Sequence, residues 1–227
     1  MNVFSDNTLR ISELFFSIQG ESTCAGLPCA FVRLQGCNLR CRYCDAAYSR
    51  EEEGGHEMSV AAVLDWLAQY PGQLVEITGG EPLLQPNVMP LMTELLRQGR
   101  AVLLETNGSV DISPVPQGVG VILDVKCPDS GMTDRMEWEN LARLGQRWRV
   151  GARGDEIKFV IGSEDDFFWA RQLVRDECPA GPPLLFSPAR PRMEPARLAE
   201  LILTYRLPVR LQLQLHTILW PDRDRGV

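Results

Sequence analysis

The sequence predicts an α/β protein: a partial, open β/α barrel of about six units with mostly parallel strands. Short β-type apolar runs alternate with stretches of helical periodicity along the chain, which implies parallel strands joined by right-handed crossovers. The count falls short of the eight units that close a full barrel. Composition agrees with one large core, since the 227 residues are 44% hydrophobic and 23% charged. A chain of this size buries roughly 70–75% of its unfolded surface and needs no disulfide to fold.

Taken in order, residues 30–34 form a short strand that leads into a cysteine-rich loop. Ser59 opens a helix on which Val60, Val63, Leu64 and Leu67 share a face, and Pro71-Gly72 closes it. Residues 74–78 are the next strand, ending in Gly79-Gly80-Glu81-Pro82, and a helix over about 87–98 follows, with Gly99 suited to its C′ position. Residues 101–105 and 119–125 are strands, then residues 135–146 a helix. A strand at 156–161, a helix at about 164–177, a strand at 184–186, a helix at 195–205 and a strand at 209–213 complete the series. The acidic and glycine-rich stretch 51–55 reads as a solvated loop. No linker or repeat interrupts the pattern, so residues 1–227 are expected to be a single domain.

The formal charge of −7, from 30 acidic and 23 basic residues, argues against a generally basic surface for nucleic acid. No run approaches the roughly 18–20 apolar residues of a membrane span, and the start MNVFSDNTLR shows no basic-then-apolar export signal. The expectation is a cytoplasmic protein that binds neither nucleic acid nor membrane.

The seven cysteines are an odd set, and Cys37, Cys41 and Cys44 fall within eight residues. Clustered thiols in a reducing compartment usually hold metal. The scattered Cys24, Cys29, Cys127 and Cys178 read as small buried or inert side chains. A structural zinc site wants a fourth ligand, yet the chain has only two histidines, His56 and His216. Three thiolates on a four-iron cluster leave one iron open for another ligand. In parallel α/β folds the site lies at the carboxyl ends of the strands. The unusual residues fall there: the cysteine loop, the Gly79-Gly80-Glu81-Pro82 turn, Thr106-Asn107-Gly108 and Asp124-Val125-Lys126.

The run CNLRCRYC resembles the signature of radical S-adenosylmethionine enzymes, whose open iron binds the amino and carboxylate groups of S-adenosylmethionine. Thr78-Gly79-Gly80-Glu81-Pro82 resembles that superfamily's turn that holds the methionyl amino group, its glycines admitting the ligand, and Tyr43 resembles the aromatic that borders the adenine. Longer segments extend the likeness. Residues 16–22 (FSIQGES), 31–37 (FVRLQGC), 104–108 (LETNG), 124–128 (DVKCP) and 213–220 (LQLHTILW) resemble the 7-carboxy-7-deazaguanine synthase family in order and spacing.

The resemblance implies a [4Fe-4S] cluster and S-adenosylmethionine, cleaved to a 5′-deoxyadenosyl radical that abstracts hydrogen from 6-carboxy-5,6,7,8-tetrahydropterin. Ring contraction with loss of ammonia then gives 7-carboxy-7-deazaguanine, a queuosine precursor. It also implies a flavodoxin-like electron donor and a homodimer. By the same resemblance Tyr43, Gly79, Gly80, Glu81, Asn107, Asp124, Val125 and Lys126 contact S-adenosylmethionine. Ile18, Gln19, Gly20, Glu21, Arg33, Thr78 and His216 contact the substrate, with Gln19 and Glu21 on its aminopyrimidinone edge and Arg33 on its carboxylate. Several have a plainer reading: Arg33 an ion-paired arginine within a strand, His216 a hydrogen-bonded core residue on a strand, Tyr43 ordinary packing, Asn107-Gly108 a common turn, and the Gly79-Gly80-Glu81-Pro82 segment a tight βα turn.

Two positions depart from the family. Ala46 stands where a hydroxyl residue usually ligates Mg2+, which weakens that site, and Thr217 stands where a lysine commonly follows the histidine. Asp45 and Ser49 are close enough in sequence to compensate at the metal. Two alternatives stay open: another radical S-adenosylmethionine enzyme, such as a glycyl-radical activase, which shares the cysteine and Gly-Gly-Glu-Pro motifs, and a non-catalytic zinc-binding module.

Overall fold

The computed structural model of the chain describes residues 7–152 and 154–227, so most of the start read above for an export signal lies outside the described residues. The strands are β1 (Thr8–Ile18), β2 (Pro28–Leu34), β3 (His56–Ser59), β4 (Leu74–Gly79), β5 (Val102–Thr106), β6 (Gly120–Val125), β7 (Glu156–Ile161), β8 (Leu184–Pro188) and β9 (Arg210–Leu211). They form one open sheet in the order β3-β1-β2-β4-β5-β6-β7-β8-β9. From β2 through β4 to β9 every neighbour is parallel, as the strand–helix alternation predicts. Only β1 runs antiparallel, against β2 on one side and β3 on the other.

The helices are α1 (Val60–Leu67), α2 (Val88–Arg97), α3 (Glu139–Arg149), α4 (Glu164–Asp176), α5 (Pro195–Tyr205) and the short α6 (Leu215–Leu219). Ser59 caps α1 by accepting from the Ala62 N–H (3.1 Å), and Ser163 caps α4 by accepting from Asp166 N–H (3.2 Å). Gly99 follows α2 with φ +73°, the left-handed C′ geometry expected of it.

Strand alternation decides what each face meets. One set of side chains, including Val32, Leu34, Ile77, Leu104, Leu123, Val125, Ile157 and Phe159, packs with Val63, Leu67, Leu91, Leu95, Leu144, Phe167 and Leu198 of the helices in one core. The other set, Arg33, Glu76, Thr78, Glu105, Asp124 and Lys158, faces into a cavity on the opposite side of the sheet. No helix among the described residues is long and apolar enough to cross a membrane.

Four elements differ from expectation, one being the short β3, which the sequence reading did not offer and which pairs with β1. The sequence showed no strand before residue 30, because a register shift between Ile11 and Glu13 breaks the alternation of β1. The helix expected at 135–146 starts at Glu139, since Met136 is extended and buried and Glu137 N–H donates to Gly108 O (3.0 Å). The last strand is only Arg210–Leu211, and His216, expected on a strand, lies on α6. The chain turns there because Leu215 N–H donates to Gly20 O (3.1 Å), drawing it back over the cavity.

An ion pair under α3 locks the loop before β6. Buried Arg147 donates to Asp155 Oδ2 (2.9 Å) and to the carbonyls of Val115 (2.8 Å) and Val119 (2.7 Å), while Asp155 Oδ1 accepts from Val121 N–H (2.9 Å). Arg147→Met strands a buried carboxylate and these two carbonyls, and is expected to cost about 3–5 kcal/mol of stability in urea unfolding. Adding Asp155→Asn is expected to recover part of that loss.

Candidate active site

The cysteine loop is seated on the turn after β4 by backbone alone. Gly80 N–H donates to Leu34 O (3.0 Å), Glu81 N–H to Gly36 O (2.8 Å) and Cys37 N–H to Arg50 O (2.9 Å). Gly79 has φ +130°, and a Cβ at Gly79 or Gly80 would run into the backbone of Leu34 or Gly36. The glycine pair is therefore required by the approach of the cysteine loop. Both glycines also line the cavity, where the sequence reading expects a ligand.

Cys37, Cys41 and Cys44 are free, half-buried thiols that all line the same cavity. Burial pushes the thiols of Cys41 and Cys44 up, and the Lys126 ammonium works against it at both. Cys37 Sγ accepts from Leu39 N–H (3.4 Å) and from Asn107 Nδ2 (3.5 Å). Among the described residues no three His, Cys, Asp or Glu side chains converge on one metal-ion position. A cluster takes one thiolate per iron, so three separate thiols on one cavity wall suit it as a donor set. The cofactor fit rests on a second observation as well: Asp124 lines the cavity with Oδ1 buried and without a hydrogen-bond partner among the described residues, a free acceptor for a ligand's donor. Its Oδ2 accepts from Lys126 Nζ (2.6 Å).

The cavity encloses about 650 Å³, a ligand-sized volume. Of the residues expected at the cofactor, it brings together Tyr43, Gly79, Gly80, Asn107, Asp124 and Lys126 with the cysteines. Of those expected at the substrate, Ile18, Gln19, Gly20, Glu21, Arg33, Thr78 and His216 also line it. Tyr43 is fixed by donating to Val160 O (3.1 Å).

Glu81 and Val125 do not line the cavity. Val125 is buried in the core, because it has the opposite strand parity from Asp124. Glu81 is fully buried and turned inward: it accepts from Leu83 N–H (3.0 Å), Thr106 Oγ1 (2.9 Å) and Asn107 N–H (2.7 Å), tying the β4 turn to the end of β5. Burial pushes its carboxyl up to about 7, against the pull of those donors. Gln19, which lines the cavity, also braces the 19–21 segment: its Oε1 accepts from Glu21 N–H (2.9 Å) and its Nε2 donates to Glu76.

Arg33 carries both of its readings. Its Nε donates to Glu13 Oε1 (2.8 Å), an ion pair flanked by the Phe15 and Tyr48 rings. No described residue accepts from its Nη atoms, and the side chain lines the cavity. What the sequence did not assign on the floor is Glu76, Glu105 and Lys158. Lys158 of β7 donates from Nζ to Glu21 Oε2 (2.7 Å) and to Glu105, while Glu105 Oε2 accepts from Thr78 Oγ1 (2.8 Å). Glu76 lies beside them, its carboxyl pushed well up by burial and by the charges of Glu105 and Glu21. The available signal was a charged residue at the inward parity of otherwise apolar strands, as in LVEITG, VLLET and EIKFVI.

A Radical SAM superfamily model matches residues 31–117. The chain is 42% identical over 221 residues to a 7-carboxy-7-deazaguanine synthase of Chlorobaculum tepidum, covering 96% of this chain and 97% of that one. It is 41% identical over 237 residues to the synthase of Koribacter versatilis, covering 96% and 100%. The chain belongs to the 7-carboxy-7-deazaguanine synthase family. The crystal structure of QueE from Escherichia coli has the same fold, with a TM-score of 0.69 at 22% identity, covering 93% of this chain and 99% of that one. Membership in this radical S-adenosylmethionine family implies a [4Fe-4S] cluster, S-adenosylmethionine and a small-molecule substrate, and it sets aside the zinc-binding module and the glycyl-radical activase.

Glu81→Gln places an amide N–H against a backbone donor, and is expected to lower stability by about 1–3 kcal/mol in urea unfolding. It is also expected to weaken S-adenosylmethionine binding, because Asn107 loses its anchor.

Proposed function

We propose that this chain converts 6-carboxy-5,6,7,8-tetrahydropterin to 7-carboxy-7-deazaguanine by ring contraction with loss of ammonia, in queuosine or another 7-deazapurine pathway. The observation that carries this reading is a single cavity with three thiols on one wall and an acceptor-rich floor of Glu21 and Glu105 on Lys158. Cys37, Cys41 and Cys44 are assigned as cluster ligands. Bound together, the reduced cluster and S-adenosylmethionine supply the radical chemistry.

The protein's own part is to bind, orient and exclude water. Asp124 Oδ1 offers an acceptor to S-adenosylmethionine, Lys126 holds Asp124 in place, and Asn107, Gly80 and Tyr43 border the same ligand. Arg33 keeps two Nη donors for the substrate carboxylate while Glu13 holds its Nε. Ile18, Gly20, Glu21, Thr78 and His216 are assigned to the substrate ring. His216 Nδ1 lies where a side chain at Gly20 would go, so the glycine lets α6 close over the ring. The reading includes one domain over residues 1–227, a homodimer, and a flavodoxin-like electron donor in a reducing cytoplasm.

The direct test is anaerobic incubation of reconstituted protein with dithionite, S-adenosylmethionine and 6-carboxytetrahydropterin, with the product identified by mass. No 7-carboxy-7-deazaguanine from iron-loaded protein would overturn the reading. Alanine at any one of Cys37, Cys41 or Cys44 is expected to abolish cluster iron and turnover. Alanine at Cys24, Cys29, Cys127 or Cys178 is expected to leave iron content nearly intact.

Magnesium belongs to the same proposal as a weak site. Ala46 lines the cavity without a ligand atom in its side chain, and Ser49 does not replace one, since its buried hydroxyl donates to Ala46 O (2.8 Å). Asp45 lines the cavity and accepts from Gln214 Nε2 (2.8 Å). Magnesium prefers six oxygens and keeps several waters, so losing one hydroxyl weakens its site without removing it. Ala46→Thr is expected to lower the magnesium concentration that gives half-maximal activation after chelation. Superimposable titration curves for parent and variant would take this position out of the metal site.

A further inference from the structure

Lys158 is absent from the family motifs carried onto this chain, yet it is the most enclosed charge in the cavity. Its side chain is 4% exposed, against 17% for Glu21 and 25% for Glu105, so the ammonium lies beneath two carboxylates that open toward the ligand space. The three come from distant parts of the fold: Glu21 from the loop after β1, Glu105 from β5 and Lys158 from β7. Two carboxylates sharing a buried site without a cation do not both stay charged, because one takes up a proton. Here the ammonium bridges them.

The remaining contacts hold the pair in one orientation. Glu21 Oε1 accepts from Gln214 Nε2 (2.9 Å), Glu105 Oε2 from Thr78 Oγ1 (2.8 Å), and the inner oxygens from Lys158. Each carboxylate oxygen therefore has one protein donor and keeps acceptor capacity for a second. An aminopyrimidinone edge presents a ring N–H beside an exocyclic amino group, and anionic acceptors bind such an edge more strongly than neutral ones.

We propose that Lys158 is a positioning residue for substrate recognition: it holds Glu21 and Glu105 together as the anionic pair that accepts the amino edge of the pterin. The inference rests on the proposed function, since it takes the ligand to be a reduced pterin. Electrostatics agree. Burial alone would lower the lysine, but Glu105 and Glu21 outweigh it and hold the ammonium protonated.

The test uses the iron-loaded full chain, measuring KM, kcat and binding for 6-carboxytetrahydropterin and for the analogue with oxygen in place of the 2-amino group. Lys158→Met is expected to raise the pterin KM roughly ten- to a hundredfold, the loss of one charge-assisted contact. Iron content and S-adenosylmethionine binding are expected to stay at parent levels, and the preference for the amino compound over its oxo analogue is expected to shrink. Lys158→Arg, whose fork can bridge two carboxylates, is expected to restore most of the affinity.

If Lys158→Met does not fold, the Lys158→Met/Glu105→Gln pair removes the repulsion, and it too is expected to bind the pterin weakly. Parent-like KM and discrimination in either form would overturn the proposal. A loss of iron and S-adenosylmethionine binding in step with KM would overturn it as well, by making Lys158 merely structural. A parent protein that does not bind the pterin at all overturns the proposed function, and this inference falls with it. A parent that binds it beside an unchanged Lys158→Met variant overturns this inference alone.

Discussion

Charged side chains on the inner face of a parallel sheet are stable only where their opposites reach them, and in this protein that requirement joins the loops to the sheet. Taking an ion out of water costs several kcal/mol unless close, well-aligned partners replace the solvent. Lys158 meets the requirement with Glu21 and Glu105, Lys126 with Asp124, and Arg33 with Glu13. Glu156 is served by the backbone N–H and the hydroxyl of Thr23. Glu76 meets it differently: burial and the charges of Glu105 and Glu21 push its carboxyl well up, toward the neutral form. Because these partners are far apart in sequence, the loop after β1 can take only the position that completes them. Gln212 Nε2 adds to the same constraint by donating to Ser22 O (2.9 Å).

The two halves of the cavity are held by different means. Around the cysteines the clamps are backbone hydrogen bonds and close glycine contacts, with Glu81 joining the β4 turn to Asn107 and Asn107 reaching Cys37. Little net charge is committed there, which suits a region that receives a cluster and a charged cofactor. On the floor the clamps are ionic, and their acceptors remain partly open. The first arrangement fixes geometry; the second fixes where positive and negative potential lie in the space above it.

Most of the scaffold was legible in the sequence because its signals are local. Ser59, Ser163 and Gly99 punctuate helices by capping chemistry, and the β-type runs are buried on their helix-facing side whatever lies within the barrel. The antiparallel β1 was hidden by its register irregularity, and the start of α3 by a tertiary contact between Glu137 and Gly108. In the site, motif position placed the cysteines, Asp124 and Arg33 at the cavity, but it carried Val125 along although strand parity turns it into the core. The same parity rule, applied to Glu76, Glu105 and Lys158, would have marked the floor. A charge within an apolar strand reads as an interruption until its partners are known, and those partners are distant in sequence.

The sheet also gives the cavity a direction. Arg33 stands on β2 and Lys158 on β7, with β4, β5 and β6 between them. Arg33 presents donors whose Nη atoms no described residue takes up, whereas the Lys158 floor presents acceptors, since its own positive charge is covered by Glu21 and Glu105. A ligand with a carboxylate at one end and an amino edge at the other is then oriented by polarity as well as by shape, because reversing it would set carboxylate against carboxylate and N–H against guanidinium. Misplaced like charges in a site of low dielectric cost more than a lost hydrogen bond. Orientation in this cavity is therefore enforced more by what the reversed ligand would meet than by what the correct one gains.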